Sequence, residues 1–173
     1  MHTASSYVLL RLIHIVAGVF WVGATLFIAA FLLPSLRAVG PAAGPLMEQV
    51  VRVRRLPVWM MSATILAILS GLALYGQDSA GFHSAWMRSG PGKIFGLGGL
   101  LGIVAAGVGM AVNAPTGKRL GALAAEIKLH SGPPTPAEAS ELQLLQAKLS
   151  RASNFVAALL VLATAAMAVA RYM

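Results

Sequence analysis

The sequence predicts an all-α integral membrane protein: a four-helix bundle with N- and C-termini outside and helical extensions on the cytoplasmic side. Three observations predict it. Of 173 residues 58% are hydrophobic and only 10% charged, with a mean hydropathy of +0.79, whereas a water-soluble domain carries about 25% charged residues. Four apolar runs come near the roughly 20 residues that a bilayer requires. The basic residues gather in two connecting loops, which alternate crossing puts on one side.

The first run spans residues 7–33 and is expected to end at Pro34. The second, residues 58–75, starts behind Pro57; the third, residues 94–112, is expected to stop before Asn113-Ala114-Pro115. The fourth covers residues 155–170. Together they make one transmembrane domain over 1–173, with no repeat beyond the alternation of spans and loops. Arg37, Arg52, Arg54 and Arg55 lie between the first two spans; Lys118, Arg119, Lys128, Lys148 and Arg151 lie between the last two. These are nine of the thirteen basic residues, so the positive-inside rule makes that side cytoplasmic and points to the bacterial cytoplasmic membrane. The N-terminal run lacks a basic leader and is too long for a signal peptide. No Cys is present, which excludes disulfides, iron–sulfur clusters and thiolate metal sites. In so apolar a chain the net charge of +8 belongs to membrane borders, so the partner is the lipid bilayer and no nucleic acid is expected.

The loops carry structure of their own. "TPAEASELQLLQAKLSRASNF" opens with a capping box: Thr135 at the N-cap, Pro136 at N1, Glu138 at N3. One helix is predicted from Pro136 to about Arg171, roughly 50 Å long, with about 25 Å of it beyond the membrane. Residues 117–130 form a shorter amphipathic helix (Leu120, Leu123, Ala124, Ile127), turned back by "SGPPTP". Residues 45–56 are a lead-in to the second span, kinked at Pro57. These read as solvated feet, with a partner-docking surface as the alternative. In the third span Gly98, Gly102, Ala105 and Gly109 form a stripe without large side chains. Such a stripe lets a neighbouring helix approach; the flat face of a porphyrin is the other candidate occupant.

The chemistry centres on "RLIHIVAGVFWVG". Ionisable groups inside a span are costly and mark functional sites. Helical spacing collects Tyr7, Arg11, His14, Gly18, Trp21 and Thr25 on one face, with Leu9, Ile13, Val16, Phe20 and Phe27 opposite. Arg11 can snorkel to the outer interface, and His14 sits in the outer third. His83, Trp86, Arg88 and Lys93 of the outer loop, with Arg171 and Tyr172, lie at a similar level. Imidazole beside interfacial cations suits a b-type haem, with cations pairing propionates. His14 is the first axial ligand; Arg11 and Lys93 serve propionates or the second coordination position; Gly18 and Trp21 line the pocket. His83 or Lys93 could be the second ligand, or the iron could be five-coordinate. Two other readings stay open. His14 could hydrogen-bond Thr25, Ser70 or a backbone carbonyl of a neighbouring helix. Copper could be held, since thioethers suit Cu(I), although Met60, Met61, Met110, Met87, Met167 and Met173 are scattered as packing residues usually are. His2 and His130 read as solvated. The five acids (Glu48, Asp78, Glu126, Glu138, Glu141) all lie outside the predicted spans, so neither hydrolysis nor an intramembrane proton relay is indicated.

"HIVAGVFWVGATLF", a His followed seven residues on by Trp-x-Gly, resembles the opening helix of the CopD-like and HemJ-like membrane families. "AWMRSGPGKIFGLGGLLG" resembles their Trp…Lys-Ile/Leu entry to a later span, with Trp86 and Lys93 in the corresponding places. The resemblance covers roughly residues 7–109. It implies a small helical bundle: HemJ-like proteins bind haem b and oxidise protoporphyrinogen, and their His and Lys would fall on His14 and Lys93. CopD-like proteins are associated with copper uptake or resistance. The chain departs from the HemJ pattern in lacking basic and His residues after the Leu-Pro step ("LLPSLRAVG") and a His in the third span. The expectation is a membrane-bound b-type haem protein with a redox or electron-transfer role, a haem-dependent oxidoreductase if it is an enzyme. It would work with a redox partner or within a larger membrane complex, or as a homo-oligomer. Copper handling and a non-catalytic accessory subunit are the alternatives.

Overall fold

The structure, a computed structural model, describes residues 2–130 and 132–173, without the side chains of residues 2, 3, 41 and 84. The expectation for His2 falls outside the described side chains. Every regular element among the described residues is helical. α1 is His2–Phe27, α2 Leu33–Val39, α3 Gly44–Glu48, α4 Leu56–Asp78, α5 Ser84–Met87, α6 Gly90–Val108, α7 Ala114–Leu129 and α8 Pro136–Val169. They merge into four stretches long and apolar enough to cross a membrane: Ala4–Val39, Leu56–Asp78, Gly90–Leu129 and Pro136–Tyr172. Only such helices satisfy every backbone polar group within hydrocarbon.

The apolar runs end at the prolines, but the helices do not. Pro34 has no N–H, and its ring would press on the carbonyl of Ala30 four residues back. The chain answers with a π-turn over Ile28–Leu32, in which the Leu33 N–H donates to the Ile28 carbonyl, five residues back. The wider turn carries α1 into α2. The same device recurs at Gly109–Asn113, where the Ala114 N–H donates to the Gly109 carbonyl and Pro115 follows. It carries α6 into α7, which therefore starts earlier than the predicted 117–130. In both places the proline stands two residues beyond the π-turn.

The lead-in to α4 breaks rather than kinks. A third π-turn, Gln49–Val53, follows α3, and Arg55 then takes a left-handed conformation (φ 52°) at the N-cap of α4, with Pro57 in its first turn. Pro57 thus starts a helix, the position its fixed φ suits. The long fourth helix forms as the sequence implies. The Thr135 hydroxyl accepts from the Glu138 N–H, and the Glu138 carboxylate accepts from the Thr135 N–H at 2.7 Å.

α1 packs chiefly on α4 and α6 chiefly on α8, with lighter contacts between α1 and α8 and between α4 and α6. The result is a four-cornered, alternately directed bundle. Its core is small: Ala17, Trp21, Ala63, Ala67, Ala105, Ala106, Val156 and Leu160. Five of the eight are alanines, which let backbones approach where apolar burial gives no drive to associate. In the third helix Gly98 meets Met167 and the Ala163 carbonyl, and Ala105 is 0% exposed, so this part of the stripe is packed against α8. Around Gly102 and Gly109 an added Cβ would meet nothing within 4 Å. Leu9, Val16, Phe20 and Phe27 face outward; Ile13 is half-buried, lining a groove with α4.

The two basic connections meet at one end of the bundle. The Arg37 guanidinium donates to the Gln146 carbonyl of α8, and Lys128 lies 3.8 Å from Glu48. Arg119 pairs with Glu126 at 2.9 Å and Glu141 at 2.6 Å, tying α7 to α8 over a buried Leu123. His130 pairs with Glu138 at 3.1 Å.

Candidate functional site

His14 is half-buried on the face of α1 that meets α4. Its Nδ1 lies 2.8 Å from the Ala67 carbonyl oxygen of α4. A carbonyl can only accept, so Nδ1 carries the proton; in the neutral ring the lone pair is then on Nε2. The Ser70 hydroxyl, 3.4 Å from the same nitrogen, donates to the Leu66 carbonyl and is free to accept a share of the Nδ1–H. Among the described residues no hydrogen bond engages Nε2. The ring fits because residue 71 is glycine: a Cβ there would lie 2.8 Å from His14 Cε1 and 3.1 Å from Nδ1. Ala67, Ser70 and Gly71 thus form a notch one turn long that holds the imidazole. Ser70 and a backbone carbonyl of a neighbouring helix were both among the candidate partners in the sequence; which carbonyl, and the place of Gly71, were not, and "LSGLAL" carries no local signal that a histidine lands there.

The rest of the stripe is distributed by depth. Trp21 and Thr25 are buried, with Ala17 and Ala29 beside them. Gly18 is half-buried with nothing within 4 Å of an added Cβ, so open space adjoins α1 one turn from His14. Among the described residues the buried Thr25 hydroxyl finds no hydrogen-bond partner, nor does the side-chain oxygen of Asn113. Arg11 is exposed. Near it, at the end of the helices, the Tyr7 phenol faces the Asp78 carboxylate. Asp78, the last residue of α4, is therefore an acid at the rim of the bundle, a role missed because it lies beyond the apolar run.

The loop between α4 and α6 is ordered around aromatics. Tyr75 donates to the Gly92 carbonyl at 3.1 Å and stacks edge-on with Trp86 at 5.2 Å. Gly92 is obligatory, since a Cβ would sit 2.2 Å from the Trp86 carbonyl oxygen. Ala80, Gly81 and Phe82 all have positive φ (49°, 87° and 65°); the turn is held by the Ser79 hydroxyl accepting from the Phe82 N–H at 2.9 Å. The His83 N–H donates to the Ser79 carbonyl and its side chain is exposed. Ser79 stands eight residues beyond Gly71, about 12 Å farther along the axis of α4, so His83 and His14 occupy different levels. Lys93 is exposed near the start of α6, beside the level of Tyr75. Among the described residues no hydrogen bond joins either side chain to His14. Arg171 lies over the Tyr172 ring at 5.0 Å.

The His14 imidazole is a donor of the kind that can ligate haem iron. His14 presents Nε2 with its other nitrogen anchored on a carbonyl, the arrangement that orients metal-binding imidazoles, and Gly18 leaves space alongside. Among the described residues no three His, Cys, Asp or Glu side chains form a metal-holding group. Met60 packs against the core and Met167 against Gly98, so these thioethers act as packing. Set beside family models, curated proteins and solved structures, the chain matches none.

Proposed function

We propose that this chain is a bacterial cytoplasmic-membrane protein that holds one b-type haem near its outer face through His14, in a redox or electron-transfer role. The basic end of the bundle then lies in the cytoplasm and both termini outside, as the gathering of nine basic residues at one end supports. The observation that carries the reading is the hydrogen bond from Nδ1 of His14 to the Ala67 carbonyl at 2.8 Å. It selects the tautomer with Nε2 available, and Ser70 and Gly71 hold the ring's orientation. When bound, haem supplies one-electron transfer. The chain would contribute the imidazole of His14 as a ligand, space at Gly18, a buried indole at Trp21, and Arg11 at the rim as a propionate partner. Lys93 is a second rim cation of the same kind.

A second reading draws on the same bond. An intramembrane histidine whose Nδ1–H is satisfied by a neighbouring helix can serve assembly alone, as in an accessory subunit of a larger complex. One measurement separates them. Protein purified from haem-replete cells should show a Soret band and a reduced-minus-oxidised difference spectrum, lost in His14→Ala while His83→Ala and Lys93→Gln retain it. A wild-type preparation without a Soret band refutes haem binding.

A further inference from the structure

The segment between α2 and α4 is a separate amphipathic element that no other helix covers. α3 and the π-turn after it contact mainly each other and their chain neighbours. Leu46 and Val53 are 54% and 60% exposed, Val51 40%. Residues 46, 47, 50 and 51 share one face by helical spacing, whereas Glu48, Gln49 and Arg52 lie on the other. Glu48 is turned toward Lys128. Arg52, Arg54 and Arg55 are exposed, and no ion pair engages them among the described residues. The left-handed Arg55 ends the segment and leads directly into α4, one of the membrane-length helices.

We infer that residues 44–55 lie in the plane of the bilayer interface, where Arg52, Arg54 and Arg55 bind the phosphate-bearing headgroups of anionic phospholipids. Apolar side chains left uncovered on a short basic helix are what interfacial helices bury among headgroups. Arginine forks suit phosphate oxygens. Continuity with α4 keeps the segment at membrane level, so the occupant is lipid rather than a soluble anion. The inference rests on residues remote from His14 and stands whether or not haem binds there.

The chain has no cysteine, so single cysteines can carry spin labels without background. In vesicles of phosphatidylglycerol and phosphatidylcholine, labels at Leu46→Cys and Val51→Cys should meet oxygen more than a water-soluble nickel chelate, and a label at Gln49→Cys the reverse. Equal exposure of all three to nickel overturns the interfacial placement. Native mass spectrometry of the full chain in detergent should show retention of phosphatidylglycerol over phosphatidylcholine. Each of Arg52→Gln, Arg54→Gln and Arg55→Gln should lower that preference, up to about five-fold, which corresponds to roughly 1 kcal/mol per basic side chain at an anionic surface. Lys148→Gln/Arg151→Gln should leave it unchanged. Absence of a preference, equal loss in that control, or displacement of the lipid by millimolar inorganic phosphate overturns the assignment.

Discussion

Gly71→Ala is the most informative single change, because it adds one methyl where the histidine ring sits. The new Cβ would lie 2.8 Å from His14 Cε1, against an ordinary carbon–carbon contact of about 3.5 Å. The ring must withdraw by about 0.7 Å from α4, the helix that also carries its acceptor. The Nδ1 to Ala67 oxygen distance would then grow from 2.8 Å to about 3.5 Å, the limit of a hydrogen bond. An interhelical bond of this kind contributes roughly 0.6–1.7 kcal/mol, and crowding a packed contact costs about 1–3 kcal/mol. Alanine is favoured over glycine in a helix by about 1 kcal/mol. Destabilisation therefore wins, by about 1–4 kcal/mol. Gly18→Ala is the matched control, since its Cβ meets nothing within 4 Å; only helix propensity remains, stabilising by up to about 1 kcal/mol. Helix content followed against SDS mole fraction in bicelles measures both. In a His14→Ala background Gly71→Ala should become neutral or stabilising. Equal stability of the two glycine variants, or a loss that persists without His14, would refute the notch.

Gly92→Ala places a Cβ 2.2 Å from the Trp86 carbonyl oxygen and 2.9 Å from Met87 Cα. Backbone must move and Tyr75 loses its acceptor, so the same titration should show a loss of about 2–4 kcal/mol; less than about 1 kcal/mol would sink that account. Acid should loosen the start of α8. The Glu138 carboxyl is held below its usual range first by the Thr135 N–H, then by the Thr135 hydroxyl and His130, and Glu141 by Arg119. Depressed carboxyl values stabilise the fold above the unfolded value of about 4.3, and that contribution fades as pH falls through the lower native values. A spin label at Ser140→Cys should gain mobility below pH of about 4, and less so in Glu138→Gln/Glu141→Gln. Unchanged mobility between pH 5 and pH 3 would contradict it.

Much of the architecture was legible because hydrocarbon imposes local rules. Apolar runs of bilayer length and the Thr135–Glu138 box act within a few turns of chain, and these elements form where the sequence places them. The prolines misled for a physical reason: Pro34 and Pro115 forbid a regular α-turn but not a helix, and one additional residue per turn removes the conflict. The kinked lead-in expected at Pro57 was right in position and wrong in kind, since Arg55 breaks the chain before it.

The site divides along the same line. By itself the sequence determined that His14 is the intramembrane histidine and that Trp21 and Thr25 share its helix face, because helical period alone sets those relations. Only the tertiary structure decided that its Nδ1 meets the Ala67 carbonyl, that Gly71 provides the notch, and that His83 stands at another level. Those outcomes depend on the register and separation of α1 and α4. Register is set by how their alanine- and glycine-lined surfaces fit, and no periodicity within one helix encodes where another helix will touch it.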